Sequence, residues 1–131
     1  VDSSLHPDPY MRLLGFEVVR LGPGEAVLLA EVRAEHTNIH GYCHGGFLYS
    51  LADAAFALAS NAHGTPAVAL CTHMEYFKAV RAGERLEAHA REENLGRRTA
   101  TYRIEVRSRA RVVALFTGTV FRMESKSEPK A

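Results

Sequence analysis

Between Gly45 and Asn61 the chain reads GGFLYSLADAAFALASN, a stretch with a single charged side chain, Asp53. Beyond Gly46 it contains no glycine or proline, and His63–Gly64–Thr65–Pro66 then stops it. The pattern predicts one long helix from about His44 to Ala62. Ala52, Ala54, Ala55, Ala57 and Ala59 leave that helix little surface that seeks water. Such a helix has to be enclosed, and the rest of the chain has to enclose it.

The flanking segments supply strands. Residues 8–15 read as a short helix that starts near Asp8 and ends at Gly15. Residues 16–32 read as two strands about a turn at Leu21–Gly24, and residues 34–42 as a polar loop. After the long helix come four more strands, over 67–77, 85–94, 99–108 and 110–123. In the second of these Leu86, Ala88 and Ala90 share a face; in the third Tyr102, Ile104 and Val106 alternate with Arg103, Glu105 and Arg107. Consecutive strands with short turns imply an antiparallel sheet. One such sheet curled around the helix is an α+β arrangement. The 131 residues fit a single domain over 1–131, with flexible ends at about 1–7 and 124–131.

A formal net charge of +1 gives no broad footprint for nucleic acid. No apolar run reaches the ~18–20 residues that span a membrane. The opening VDSSLHPDPY lacks the charged-then-apolar pattern of a secretion signal. Two cysteines, Cys43 and Cys71, do not make a disulfide framework, so a reduced, cytoplasmic setting is the expectation.

The loop that feeds the long helix carries the chemistry. The first N–H groups of a helix have no intrahelical acceptor, and the helix dipole adds positive potential there. Gly45 and Gly46 permit close approach to that end. It can receive a carbonyl oxygen that becomes an oxyanion, or the glycines simply turn the chain. Asp53 lies eight residues beyond Gly45, ~12 Å along a helix, so one small reacting group cannot touch both within one subunit. A carboxylate among apolar neighbours is costly without partners. Either Asp53 accepts hydrogen bonds from its own chain, or two copies pack so that Asp53 of one faces Gly45 of the other.

Nearby, Asn38 can donate to an oxygen or orient a water, and His44 can bond a substrate carbonyl or organise the loop. His36, His40 and His44 would align on a continuous helix, but Gly41, Gly45 and Gly46 oppose one, and no zinc-site motif is present. No metal is expected. Cys43 precedes a helix N-terminus, a position that can lower a thiol pKa. Cys71 falls in a predicted strand and is expected to serve packing. Ser50 and Ser60 lack a G-x-S-x-G setting.

Asn38-x-x-Gly41-x-x-His44-Gly45-Gly46, followed by Leu51–Ala52–Asp53 and Asn61, resembles the PaaI-type hotdog-fold thioesterases of phenylacetate degradation. These belong to the broader 4-hydroxybenzoyl-CoA thioesterase superfamily, and the resemblance spans nearly the whole chain. It implies a hotdog fold, with the long helix wrapped by a curved antiparallel sheet. It implies a homodimer joined sheet edge to sheet edge, and commonly a homotetramer of two such dimers. Asp53 would be the catalytic acid, acting on an acyl group bound at the other subunit. The Gly45 N–H would polarise the thioester carbonyl, Asn38 would place the water, and His44 would support the carbonyl or leaving sulfur.

The implied reaction is hydrolysis of acyl-CoA with aryl groups of the phenylacetyl or hydroxyphenylacetyl type, or with medium chains. Coenzyme A is then part of the substrate and no cofactor is called for. Gly46 and Phe47 are candidate substrate contacts. Arg97 and Arg98 are candidates for the coenzyme A phosphates, with Lys78 and Arg81 behind them, against a reading as ordinary solvated turn charges. Phe47, Leu48 and Phe56 line either an acyl pocket or the core. Two other readings stay open: an acyl-CoA hydratase or dehydratase, and a non-catalytic acyl-CoA-binding module. Asp53 can act as general base or as nucleophile.

Overall fold

A computed structural model describes residues 7–123. The flexible ends expected at about 1–7 and 124–131 lie outside the described residues, apart from residue 7. The chain forms helix α1 (Pro9–Leu14), strands β1 (Glu17–Gly22) and β2 (Glu25–Glu31), a 3₁₀ turn (Ala34–His36) and helix α2 (Gly45–Asn61). Strands β3 (Ala67–Tyr76), β4 (Arg85–Leu95), β5 (Thr99–Ser108) and β6 (Arg111–Arg122) follow. Asp8 caps α1 by accepting from the Met11 N–H at 2.8 Å, and Gly15 ends it at φ 77°.

The strands form one six-stranded antiparallel sheet in the order β1-β2-β4-β5-β6-β3. It is curved and unclosed, and α2 touches all six of its strands. This is the hotdog arrangement. Strand alternation explains it: Ala26, Leu28 and Ala30 of β2, Leu86, Ala88 and Ala90 of β4, and Tyr102, Ile104 and Val106 of β5 all point inward and are buried. They meet Leu51, Ala52, Ala55, Phe56 and Ala59 of α2, which are also buried. Alanine on both surfaces lets helix and sheet approach closely. Phe56 fills the gap that remains, against Tyr102 at 5.8 Å and Phe116 at 5.3 Å between ring centroids. No helix among the described residues is long and apolar enough to cross a membrane.

β3 is an outermost strand, and nothing among the described residues pairs with its free edge. Val68, Leu70 and Tyr76 are accordingly exposed. Cys71 is exposed too, which corrects its expected packing role: no further strand covers the side chains at this edge.

At the other end of the inner face, Glu84 is buried at 6% exposure. Its carboxylate accepts from the Ser108 hydroxyl at 2.6 Å and from the Arg81 N–H at 2.8 Å. The Ser108 bond holds this carboxyl below the usual carboxylate range; burial opposes it, while the Arg81 N–H and the charges of Arg109 and Arg111 assist. A lowered folded-state pKa contributes stability that is fully present above the ordinary carboxylate pKa and is lost as pH falls through the folded value. Thermal melts of Glu84→Gln and wild type should therefore differ most near neutrality and converge as pH falls toward 3; a pH-independent gap would contradict this source of stability. A Cβ placed at Gly118 would lie 2.7 Å and 2.9 Å from Phe56 ring atoms. Gly118→Ala should cost about 1–3 kcal/mol in denaturant unfolding, and a neutral result would mean that Phe56 has room to move.

Candidate active site

The loop before α2 is set by its own hydrogen bonds. Asn38 Oδ1 accepts from the His40 N–H at 2.9 Å and the Tyr42 N–H at 3.2 Å. The Gly41 N–H donates to the Asn38 carbonyl at 3.0 Å, and Gly41 sits at φ 82°, a conformation that favours glycine. The oxygen of Asn38 is thus committed to the loop. Its Nδ2 is the group left to donate outward, to water or to a substrate oxygen. The Cys43 N–H reaches the Val80 carbonyl at 2.7 Å, and the His44 N–H reaches the His36 carbonyl at 2.8 Å.

His44 is the N-cap of α2. Its Nδ1 accepts from the Gly46 N–H at 2.8 Å, so the neutral ring carries its proton on Nε2, and that N–H is free to donate. The Gly46 N–H is consumed by the same bond. The Gly45 N–H has no acceptor among the described residues, while the Gly45 carbonyl accepts from the Tyr76 hydroxyl at 3.2 Å. Gly45, Asn38, Tyr42, Tyr76, Lys78 and Val80 line a groove of about 350 Å³. Tyr76 is a wall of it: a Cβ on Gly45 would meet its ring at 3.4 Å.

A second hollow of about 200 Å³ lies beyond the helix start, lined by Tyr10, His36, His44, Gly46, Phe47 and Ser50. Phe47 is buried in its floor, with the His36 ring stacked on it at 4.0 Å. Tyr10 of α1 bonds Ser50 at 2.8 Å. Gly46, Ser50 and Asp53 succeed one another on this helix face at positions i, i+4 and i+7.

Asp53 is half-buried, and among the described residues its carboxylate takes part in no hydrogen bond or ion pair. Of the two explanations the sequence left open, satisfaction by its own chain is the one the described residues do not supply. Burial pushes the Asp53 carboxyl up, and the negative charge of Asp8 adds to the effect. A carboxylate held this way is a better proton acceptor than a free one.

Other candidates sort differently. Cys43 is buried, and burial followed by the Glu84 charge pushes its thiol up to about 12. The place before the helix start therefore does not activate this thiol. Leu48 and Phe56 belong to the core. Arg97 and Arg98 occupy the exposed β4–β5 turn, in line with Phe121 and then Val68 of β3. The groove adjoins Tyr76, eight residues and ~26 Å along the same strand. One protomer therefore does not bring these arginines to Gly45. Nδ1 of His36 accepts from the Arg33 N–H at 3.0 Å, and no group of three or more His, Cys, Asp or Glu converges among the described residues. Tyr76 escaped sequence reasoning as a site residue, since only folding brings it to Gly45, 31 residues away.

Residues 40–115 match the family model of the thioesterase superfamily. The acyl-coenzyme A thioesterase PaaI of Escherichia coli strain K12 is 38% identical over 117 residues, covering 88% of this chain and 84% of the relative. A mutant of the phenylacetic acid degradation protein PaaI from Thermus thermophilus is 63% identical, with a TM-score of 0.87 over 88% of this chain and all of that one. The smu.793 protein of Streptococcus mutans UA159, solved with acetyl CoA bound, is 28% identical, with a TM-score of 0.82 over 86% of this chain and 92% of its own. The chain belongs to the hotdog-fold thioesterase superfamily, close to the PaaI-type acyl-CoA thioesterases.

Proposed function

We propose that this acyl-CoA thioesterase works at a site built from two copies of the chain, with Asp53 of one acting on a thioester held at Gly45 of the other. The observation that carries the reading is Asp53 itself: an acid on an apolar helix, half-buried, without a partner among the described residues. Its distance from the free Gly45 N–H, ~12 Å along α2, calls for a second protomer.

The free edge of β3 supports that protomer. Its ten residues, AVALCTHMEY, include no lysine, proline or glycine to discourage pairing, and Val68 and Leu70 are exposed on it. Two such edges joined about a two-fold axis run antiparallel. The Val68 end of one copy then lies beside the Tyr76 end of the other, which carries Asp53 and the Arg97–Arg98 turn toward the partner's groove. A homotetramer of two such dimers is the further expectation.

At this site the substrate carbonyl accepts the Gly45 N–H, a donor worth about 3–4 kcal/mol once the oxygen becomes an oxyanion. Nδ2 of Asn38 and Nε2–H of His44 offer further donors beside it. Asp53 takes a proton from water, the hydroxide adds to the carbonyl carbon, collapse of the tetrahedral intermediate expels coenzyme A thiolate, and the proton on Asp53 passes to that sulfur and restores the base. The products are the free acid and coenzyme A. Aryl acyl groups of the phenylacetyl type are the proposed substrates, in keeping with the name of the Thermus thermophilus relative, with medium-chain acyl groups as the alternative.

Asp53→Asn should lower kcat/KM for phenylacetyl-CoA hydrolysis by ~10²–10⁴-fold. Its thermal midpoint should not fall, because the substitution removes a charge that the fold disfavours. An active variant would remove Asp53 from the mechanism, and consumption of an enoyl-CoA double bond without thiol release would favour a hydratase. The base form of Asp53 must be ionised, so the acidic limb of kcat/KM should lie above the ~3.9 of a free aspartate. Asp8→Asn, which keeps a good N-cap for α1, should move that limb downward; an unmoved limb would mean that Asp8 does not act on the base.

A further inference from the structure

We propose that Glu84 is a positioning residue for the groove beside Gly45, holding the turn that forms its wall without touching the substrate. The inference rests on the thioesterase reading for its kinetic test. Both carboxylate oxygens of Glu84 are engaged, Oε1 by the Ser108 hydroxyl at 2.6 Å and Oε2 by the Arg81 N–H at 2.8 Å. Arg109 Nε stands 3.9 Å from Oε1. The backbone of the same residue is tied as well: the Val32 N–H donates to the Glu84 carbonyl at 3.0 Å, and the Gly83 N–H to the Val32 carbonyl at 2.7 Å. The turn from Lys78 to Glu84 is thereby clamped against Val32, just past the end of β2, on one side and the β5–β6 hairpin on the other.

That hairpin is unusual. Its two central residues, Arg109 and Ala110, lie at φ 55° and φ 63°, where a two-residue hairpin turn normally recruits Asn-Gly. The tight turn presents Ser108 and Arg109 to Glu84. From the clamped turn, Val80, which is buried, reaches the groove, and its carbonyl receives the Cys43 N–H at 2.7 Å. Arg81 lies over the Tyr42 ring at 5.3 Å, which joins the turn to the other wall of the groove. The helix start has further bonds that do not involve this turn: His44 N–H to the His36 carbonyl, and Gly46 N–H to His44 Nδ1. Loss of the Glu84 contacts should therefore shift the wall and leave Gly45 in place.

The kinetic signature follows from that separation. Glu84→Ala should raise KM for phenylacetyl-CoA by ~10-fold, the loss of about one charge-assisted hydrogen bond, with kcat within ~3-fold of wild type. Glu84→Gln should restore KM to within ~3-fold, since its amide can accept from the Arg81 N–H and donate to Ser108 Oγ. Should Glu84→Ala fail to fold, Ser108→Ala removes one of the two anchors and should raise KM in the same direction. Binding of phenylacetyl-CoA, measured calorimetrically in an Asp53→Asn background with and without Glu84→Ala, should weaken by the same ~10-fold. This binding arm judges the inference even if wild type releases no thiol, an outcome that would count against the thioesterase reading alone. A lowered melting temperature with KM and affinity unchanged would reduce Glu84 to a stability role and overturn the proposal. A fall in kcat at constant KM would overturn it too, by locating its effect at Gly45.

Discussion

Close packing of an alanine-rich helix into a curved sheet is the constraint on which everything else depends. Alanine on α2 faces alanine on β2 and β4, and large side chains are concentrated where the curvature leaves space, at Phe56, Tyr102 and Phe116. Interiors packed at this density transmit small changes of volume. The close fit fixes the direction of α2, and with it the position of the helix start. It also makes Asp53 conspicuous, because the same helix that is enclosed on most sides carries an acid on its remaining face.

The two ends of the site are prepared in opposite ways. At the helix start, His44 caps and Asn38 folds the loop, so that the Gly45 N–H is left over as a fixed donor. Preorganised donors cost no reorganisation as charge develops, which is the main source of their effect. At Asp53 the fold does the reverse and withholds partners. A carboxyl pushed up by burial and by Asp8 is destabilising in its ionised form. That expense in stability is what a base requires, and it gives a physical reason for the acid to sit on α2.

Much of this was legible in the sequence. Helix α2, the succession of strands along the chain and the inward faces of β4 and β5 follow from periodicity and from the glycine and proline stops; the spatial order of the strands does not. Asp8 and Gly15 were visible as caps of α1. The tension between Gly45 and Asp53 needed only the rise of a helix. Contacts at long sequence separation were not legible. Tyr76 against Gly45 and Ser108 against Glu84 depend on the register of β3 and on the shape of a hairpin. The surroundings of the two cysteines were out of reach for the same reason. Whether Cys71 is covered depends on β3 being outermost, and the Cys43 pKa depends on burial beside Glu84.

The shared site is best tested by mixing two inactive proteins. Proline at position 45 removes the N–H at the first helical residue, where proline is well tolerated, and His44 already has the extended backbone that precedes a proline (φ −62°, ψ 137°). Gly45→Pro and Asp53→Asn should each be inactive alone. Unfolded together and refolded, they should recover about a quarter of wild-type thiol release. Half of the dimers are then mixed, and each mixed dimer holds one intact site of two. Activity no greater than the sum of the separate variants, with mixed dimers verified by mass spectrometry, would place Asp53 and Gly45 of one chain in the same site and contradict the shared arrangement.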